Sequence, residues 1–266
     1  MIRRKRLDSE LLRRGITANL EEAERLIAAN KVQVNGSFAT TAAQMVLKGD
    51  SLNISPDRTQ YVSRGGHKLA HALSAFSINP DALDCVDVGA STGGFTDCLL
   101  QEGASTVTTI DVGYGVLHEC LVNDARVTKF ERLNIRDANP IISPKQFRLL
   151  VADLSFISLK TVLQNLVDLC DSGASMVLLV KPQFESSYEE ASRSGGVIRD
   201  PDIWERTLEE VAEEASKVGA PLQAVTYSPL TGPRGNHEFF FHLVKGAKRQ
   251  AVDVSSVIED MKPSVQ

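Results

Sequence analysis

The strongest constraint on the fold of this chain is the stretch Cys85-Val86-Asp87-Val88-Gly89-Ala90-Ser91-Thr92-Gly93-Gly94-Phe95-Thr96. An apolar run ends in a glycine, and a glycine pair four residues on opens a helical pattern. A second apolar run, Val107 to Ile110, ends at Asp111, seventeen residues after Gly94. A buried strand, a turn that admits a ligand against bare backbone, and a second strand closed by a carboxylate outline a nucleotide-type cofactor cleft. The expected fold class is therefore α/β, with a mostly parallel sheet.

The glycine spacing narrows the cofactor. A dinucleotide fold uses Gly-x-Gly-x-x-Gly to bring a pyrophosphate against the backbone. Here the spacing is Gly-x-Ser-x-Gly-Gly. S-adenosylmethionine carries no phosphate and needs a glycine turn beside its methionyl part and an acid for its ribose. Gly89, Ser91, Gly93, Gly94, Phe95 and Asp111 are the candidate cofactor residues. Asp137, in Asn134-Ile135-Arg136-Asp137 after the third strand, is the candidate at the adenine.

At 266 residues the chain suits one large domain and a small one. No apolar stretch approaches a membrane span. The start, Met1-Ile2-Arg3-Arg4-Lys5-Arg6, lacks the apolar core of a secretory signal. Four cysteines, at 85, 98, 120 and 170, have no metal or redox spacing. Cys85, Cys98 and Cys170 sit among apolar neighbours and read as small buried hydrophobes. These features predict a reduced, cytoplasmic protein. The net charge of -5 is uneven, with 10 Lys and Arg against 7 Asp and Glu in residues 1–60. A positive small segment on a negative large one points any polyanion contact to the N-terminal part, while ordinary scatter of charge along the chain is the equal alternative.

That part has its own order. Arg6 to Gly15 reads as a short helix with a glycine stop. Asn19 caps a second helix whose inner face is Ala23, Leu26 and Ile27. Lys31 to Gly36 alternates as a strand into an Asn-Gly turn. Leu47 to Ile54 predicts a further strand, with a turn at Lys48-Gly49-Asp50. The series Arg-Leu-Asp-x-x-Leu, Arg-Gly, Ala-x-x-Leu-Ile and Val-x-Val-Asn-Gly resembles an S4 domain, a small RNA-binding module. The resemblance covers nearly all of residues 5–55 and implies phosphate contacts from Arg4, Arg6, Arg13, Arg14 and Lys31. One departure is Asn19-Leu20, where many S4 domains carry Ser-Arg.

The reading of domains is 1–55 S4-like, 56–62 linker, 63–250 catalytic, and 251–266 a loose tail. Strands are expected at Asp84–Val88, Thr106–Ile110, Val127–Phe130, Leu149–Asp153, Ser175–Val180, Leu222–Tyr227 and Glu238–Val244, the last antiparallel. Helices are expected near 66–76, 94–101, 115–122, 158–170 and 201–218, on both faces of the sheet. Ligands in such sheets bind beyond the carboxyl ends of the strands. Asp153 closes the fourth strand, Lys181 closes the fifth and Glu238 opens the last. Lys68 precedes the first. With the fourth and fifth strands expected to flank the first, these residues should converge at the cofactor. His67 and His237 adjoin them and read as structural or substrate-side. Glu185 reads as support for its loop.

Lys68, Asp153, Lys181 and Glu238, in that order, resemble the catalytic tetrad of FtsJ-like RNA 2′-O-methyltransferases. Six phrases point further: Ser63-Arg-Gly-Gly-x-Lys68-Leu, Gly89-Ala-Ser-Thr-Gly-Gly-Phe-Thr-Asp97, Asp111-Val-Gly-Tyr-Gly115, Asp153-Leu-Ser-Phe-Ile-Ser158, Lys181-Pro-Gln-Phe-Glu185 and Ser228-Pro-Leu-x-Gly with Gly235-Asn-x-Glu238. Together they resemble the TlyA family, an S4 domain joined to an FtsJ-like methyltransferase, over roughly residues 5 to 244. The resemblance implies a Rossmann-like, seven-stranded methyltransferase with S-adenosylmethionine as cofactor. It also implies cytidine ribose in ribosomal RNA or ribosomal subunits as substrate, a monomer, and no metal. It implies Lys181 as general base, with Lys68 orienting the ribose and stabilising the developing oxyanion. A ribose hydroxyl is a weak nucleophile, so attack on a methyl sulfonium gains from alignment and from a base beside it. Two other classes stand beside this reading. One is a membrane-active haemolysin, a name some members carry. The other is a non-catalytic RNA-binding factor.

Overall fold

The protein is described here from a computed structural model, over residues 4–28, 31–54, 61–142 and 147–261. The N-terminal unit opens with β1 (Lys5–Arg6), α1 (Leu7–Arg13) and α2 (Leu20–Ala28). β2 (Val32–Val34), β3 (Ser37–Phe38), β4 (Met45–Val46) and β5 (Leu52–Ile54) follow. β3, β2 and β5 form one antiparallel sheet in that order, and β1 pairs with β4. Leu7, Leu11, Ala23, Ile27, Val32 and Val34 close a small core of their own. The Asn35-Gly36 turn between β2 and β3 has positive φ at both residues, 53° and 87°, as a tight hairpin demands. Asn19 caps α2 by accepting from the Glu22 N–H at 2.8 Å. The strand expected over 47–54 shortens to Leu52–Ile54 because Asp50 accepts from the Leu47 N–H and folds the chain into a turn.

The large unit begins with α3 (Arg64–Ala75) and a sheet of seven strands. These are β6 (Asp84–Val88), β7 (Thr106–Asp111), β8 (Val127–Glu131), β9 (Phe147–Ala152), β10 (Cys170–Val180), β11 (Leu222–Tyr227) and β12 (Phe239–Val244). Their order is β11-β12-β10-β9-β6-β7-β8, with β12 antiparallel to both of its neighbours. The fourth strand, β9, adjoins β6, but the fifth, β10, lies beyond β9. The expectation that both flank the first strand is corrected in that respect, and Lys181 reaches the site from one strand further out.

Burial on both faces explains why these strands read as unbroken apolar runs. Cys85, Leu149, Val151, Val177, Leu179 and Phe240 face α3 and α4 (Gly94–Gln101). Val86, Leu150, Met176, Leu178, Phe239 and Phe241 face the other way. On that side lie α6 (Asn139–Ile142), α7 (Leu163–Leu169) and α10 (Pro201–Lys217), with α5 (Glu119–Val122), α8 (Pro182–Glu185) and α9 (Tyr188–Arg193) the short helices of the connections. In α10, Trp204, Leu208, Val211 and Ala215 recur at helical spacing and are all buried. Cys85, Cys98 and Cys170 are buried, and burial pushes each thiol up to about 12.

Two boundaries differ from the sequence reading. Tyr61 and Val62, read as linker, belong to the large unit: Tyr61 is buried against Gly66, and the Val62 N–H donates to Asp97 at 2.7 Å. Residues 56–60, the rest of the expected linker, lie outside the described residues. The tail is not loose over 254–260, where α11 (Val254–Asp260) buries Val254 and Ile258 against α10 and β11.

Helices α3 and α4 touch through glycine. A β-carbon on Gly94 would fall 2.2 Å from Ser63 Oγ and 2.9 Å from the Gly66 nitrogen. Backbone cannot yield as a flexible side chain can, so Gly94→Ala should cost about 2 kcal/mol or more. A lowered urea midpoint with unchanged slope is the expected result.

Candidate active site

Three strand ends are tied together by backbone. The Gly89 N–H donates to Ile110 O at 2.8 Å, and the Asp153 N–H donates to Val88 O at 3.0 Å. Gly89, at φ 85°, lies so near β9 that a β-carbon would be 2.5 Å from Asp153 O. Ser91, also left-handed at φ 49°, donates its N–H to Asp111 Oδ2 at 2.7 Å. Asp111 Oδ1 accepts from the Gly113 N–H at 2.6 Å. The carboxylate is thus held at the end of β7 by two backbone donors, with lone pairs left on both oxygens.

Above these strand ends lies a cleft of about 640 Å³. Gly89, Ser91 and Asp111 line it, with Ile110, Val112, Leu133 and Ile135 as apolar wall and Asn134 and Arg136 at the edge. The fit to an adenosyl ligand is good: an anchored carboxylate for the ribose, apolar surface for the base, and a bare glycine turn at the other end. Gly93 and Gly94 do their work beside the cleft. Gly93 caps α4 at φ 95° where a β-carbon would meet Leu121, and Gly94 sets the helix contact described above. Phe95 is buried beneath the turn. Asp137 does not line the cleft. It sits in a 3-10 turn, Ile135–Asp137, and is exposed; Asn134 and Ile135 hold the place it was expected to fill.

A second cavity of about 240 Å³ shares Gly89, Ser91, Asp153 and Ser155 with the first. All four tetrad residues line it. They stand as two ion pairs. Lys68 Nζ donates to Glu238 Oε2 at 2.6 Å, both side chains buried. Lys181 Nζ pairs with Asp153 Oδ1 and donates to Ser155 Oγ at 3.0 Å. Lys181 is 8% exposed and Asp153 is nearer the surface. The antiparallel β12 brings Glu238 to this edge, one residue before the strand itself begins.

Support for the site comes from buried acids. Glu185, at the end of α8, accepts from Ser158 Oγ at 2.5 Å and from the Leu159 N–H at 2.7 Å. It ties the Asp153–Ser158 loop to the helix that starts after Lys181, and burial raises its carboxyl above the usual range. His67 packs edge-on against Tyr61 and His237 against Trp204, so both are structural contacts.

Sequence reasoning missed the aromatic pair at the mouth. Phe156 is 89% exposed at φ 64°, and its ring centroid lies 5.2 Å from that of Phe184. Both line a further cavity of about 470 Å³ that also touches Lys181 and Glu238. An exposed ring held in a strained backbone beside a polar pocket suits stacking on a flat ligand. The Phe in Asp153-Leu-Ser-Phe-Ile-Ser158 was the available signal; its backbone conformation leaves no mark in sequence.

On the N-terminal unit the basic residues divide. Arg4 is exposed. Arg6 pairs with Asp8 and Arg13 with Glu10, each arginine side chain being about half exposed. Arg14 turns inward, donating to Glu10 and to the carbonyls of Leu47, Lys48 and Asp50. It braces α1 against the turn before β5, and the expectation of a phosphate contact from Arg14 is corrected. Lys31, half-buried, precedes β2. Among the described residues no group of His, Cys, Asp and Glu could hold a metal, and no helix is long and apolar enough to cross a membrane.

The fold and site define a Rossmann-like methyltransferase. The FtsJ-like methyltransferase family matches residues 61–245, and the S4 domain matches residues 5–52. The chain is 45% identical over 244 residues to the Mycobacterium tuberculosis 16S/23S rRNA (cytidine-2′-O)-methyltransferase TlyA, covering 91% of each. It is 35% identical to Hemolysin A of Brachyspira hyodysenteriae, over 90% of this chain and 99% of that one. A solved chain from Streptococcus thermophilus that also carries a hemolysin name is 34% identical with a TM-score of 0.77, covering 98% of this chain and 96% of that chain. The chain belongs to the TlyA family, whose members join an S4 domain to an FtsJ-like methyltransferase.

Asp87 lies under the glycine turn, fully buried, with Oδ2 accepting from Thr96 Oγ1 at 2.6 Å and Oδ1 unpartnered. Burial pushes its pKa from the ordinary 3.8 to about 7. The folded chain then keeps a proton that the unfolded chain releases, so stability should fall as the pH rises from about 4 to about 7. Between pH 5 and pH 8 this acid should cost about 2–3 kcal/mol. Asp87→Asn should remove that pH-dependent part, as read by urea unfolding at the two pH values.

Proposed function

We propose that the protein transfers a methyl group from S-adenosylmethionine to a ribose 2′-hydroxyl of ribosomal RNA, with cytidine as the target. One observation carries the reading: two lysine–carboxylate pairs line a pocket that opens, through Gly89, Ser91, Asp153 and Ser155, into the cofactor cleft. The cofactor supplies an electrophilic methyl group on a sulfonium. Gly89 and Ser91 would hold its methionyl part, Asp111 its ribose, and Ile110, Val112 and Ile135 its adenine.

The acceptor ribose enters the second cavity. Its 2′-hydroxyl would be the nucleophile toward that methyl group, with the sulfur as leaving group, and Lys181 Nζ, as the neutral amine, would take the hydroxyl proton. Asp153 and Ser155 keep that nitrogen in place. Lys68, fixed by Glu238, faces the oxygen as negative charge develops on it. Phe156 and Phe184 offer their faces to the base. The S4 unit brings the polymer, with Arg4, Arg6, Arg13 and Lys31 toward its phosphates. The relative from Mycobacterium tuberculosis is named for this chemistry on 16S and 23S ribosomal RNA, which supports both substrate and base.

Lys181→Ala should abolish methyl transfer, by about a hundredfold or more, and leave S-adenosylmethionine affinity within a few-fold of wild type by calorimetry. Full activity in that variant would remove Lys181 as base. Deleting residues 1–58 should weaken RNA binding and flatten its dependence on salt. Ribose-methylation mapping of ribosomal RNA from cells with and without the protein tests the substrate itself; an unchanged map would sink the reading.

A further inference from the structure

The pocket that holds the tetrad is not built by the methyltransferase unit alone. Asn35, Gly36 and Ser37, the turn between β2 and β3 of the S4 unit, line it as well. Ser37 forms an isolated antiparallel bridge with Ser63, the cap of α3. The next residue, Arg64, lies against the turn. A β-carbon on Gly36 would fall 2.8 Å from Arg64 Nε and 3.1 Å from Nη2.

Charge accounting singles out Arg64. The charged side chains lining the pocket are Arg64, Lys68, Asp153, Lys181 and Glu238. Lys68 and Glu238 cancel, as do Lys181 and Asp153. Arg64 is left as the surplus cation. It is half-buried, yet among the described residues it makes no ion pair and no hydrogen bond. The three-residue run Ser63-Arg64-Gly65 also opens the twelve-residue α3, whose first turn carries no acidic residue. The field of that helix end adds to the pull on an anion.

We propose that Arg64 grips the RNA phosphate next to the target ribose, and that Gly36 of the S4 unit is the positioning residue that seats it. The inference rests on the RNA reading given above. A ribose in a chain carries a phosphate on the carbon beside its 2′-hydroxyl, so a pocket for the one needs a cation for the other. A guanidinium offers two parallel donors to phosphate oxygens. Gly36 leaves room for it because a side chain at that point would occupy the same space. The S4 turn thus acts as a wall of the acceptor site, and an S4 unit seated elsewhere would leave Arg64 unplaced.

The test uses the full-length protein, S-adenosylmethionine and ribosomal RNA from cells lacking the enzyme, with single-turnover rates at saturating RNA. Wild type that transfers no methyl to ribose overturns the proposed function, not this inference. With active wild type, Arg64→Ala should slow transfer about tenfold and lower the salt dependence of RNA binding by about one phosphate contact. Arg64→Lys should recover part of the rate. Gly36→Asn keeps the hairpin, since asparagine accepts positive φ, but intrudes on the guanidinium. It should slow transfer to a similar degree and add nothing when combined with Arg64→Ala. An Arg64→Ala enzyme at wild-type rate overturns the proposal. So does a folded Gly36→Asn enzyme at wild-type rate, or losses that multiply in the double variant.

Discussion

The approach of Gly89 to the carbonyl of Asp153 is the constraint on which the rest of this site depends. Any side chain at 89 would strike the backbone of the neighbouring strand. With glycine there, β6 and β9 end at the same height, and Val88, Ile110 and Asp153 are locked by two hydrogen bonds. That lock fixes the floor of the cofactor cleft and, on its other side, the carboxylate that holds Lys181. The two cavities are therefore two faces of one strand junction. Their spacing is set by main chain, which tolerates far less drift than loops do.

Much of this was legible because it rests on residues whose types admit few alternatives. The bounds of β6 and α4 follow from an apolar run and a glycine pair, and the structure has them at Asp84–Val88 and Gly94–Gln101. Glu238 was placed by topology: an antiparallel last strand must start at the edge where parallel strands end. The misses have physical reasons too. Asp137 follows the third strand at a plausible distance, but a 3-10 turn swings it to solvent. Arg14 looks like any exposed cation until the carbonyls of Leu47, Lys48 and Asp50 are seen to need a donor. Helix α11 escaped because only Val254 and Ile258 are buried in it, too few for a periodic signal. The position of β10 beyond β9 is a matter of crossover connections, which residue patterns do not encode.

The tetrad gains meaning from its division into pairs. Two buried lysines near one another would repel; each instead has its own carboxylate, and the pocket is close to neutral apart from Arg64. Neutral pairs can be buried at less cost than lone charges, and they leave hydrogen-bonding atoms in fixed places. The S4 unit follows a different rule. Its Arg6 and Arg13 are each tethered by an acid and half open to solvent, which suits a polymer whose sequence of contacts is long and individually weak.

The Lys68–Glu238 pair joins residues 170 positions apart in the chain. During synthesis the strands of the cofactor cleft, β6 to β9, leave the ribosome well before β12 does. A nascent chain can therefore fold a place for the cofactor while its acceptor pocket still lacks a wall. Only when the last strand slides between β10 and β11 does Lys68 meet its partner. The antiparallel strand thus acts as a completion check: the pocket closes only once the chain has been made through β12, and a product truncated before it would lack the partner of Lys68.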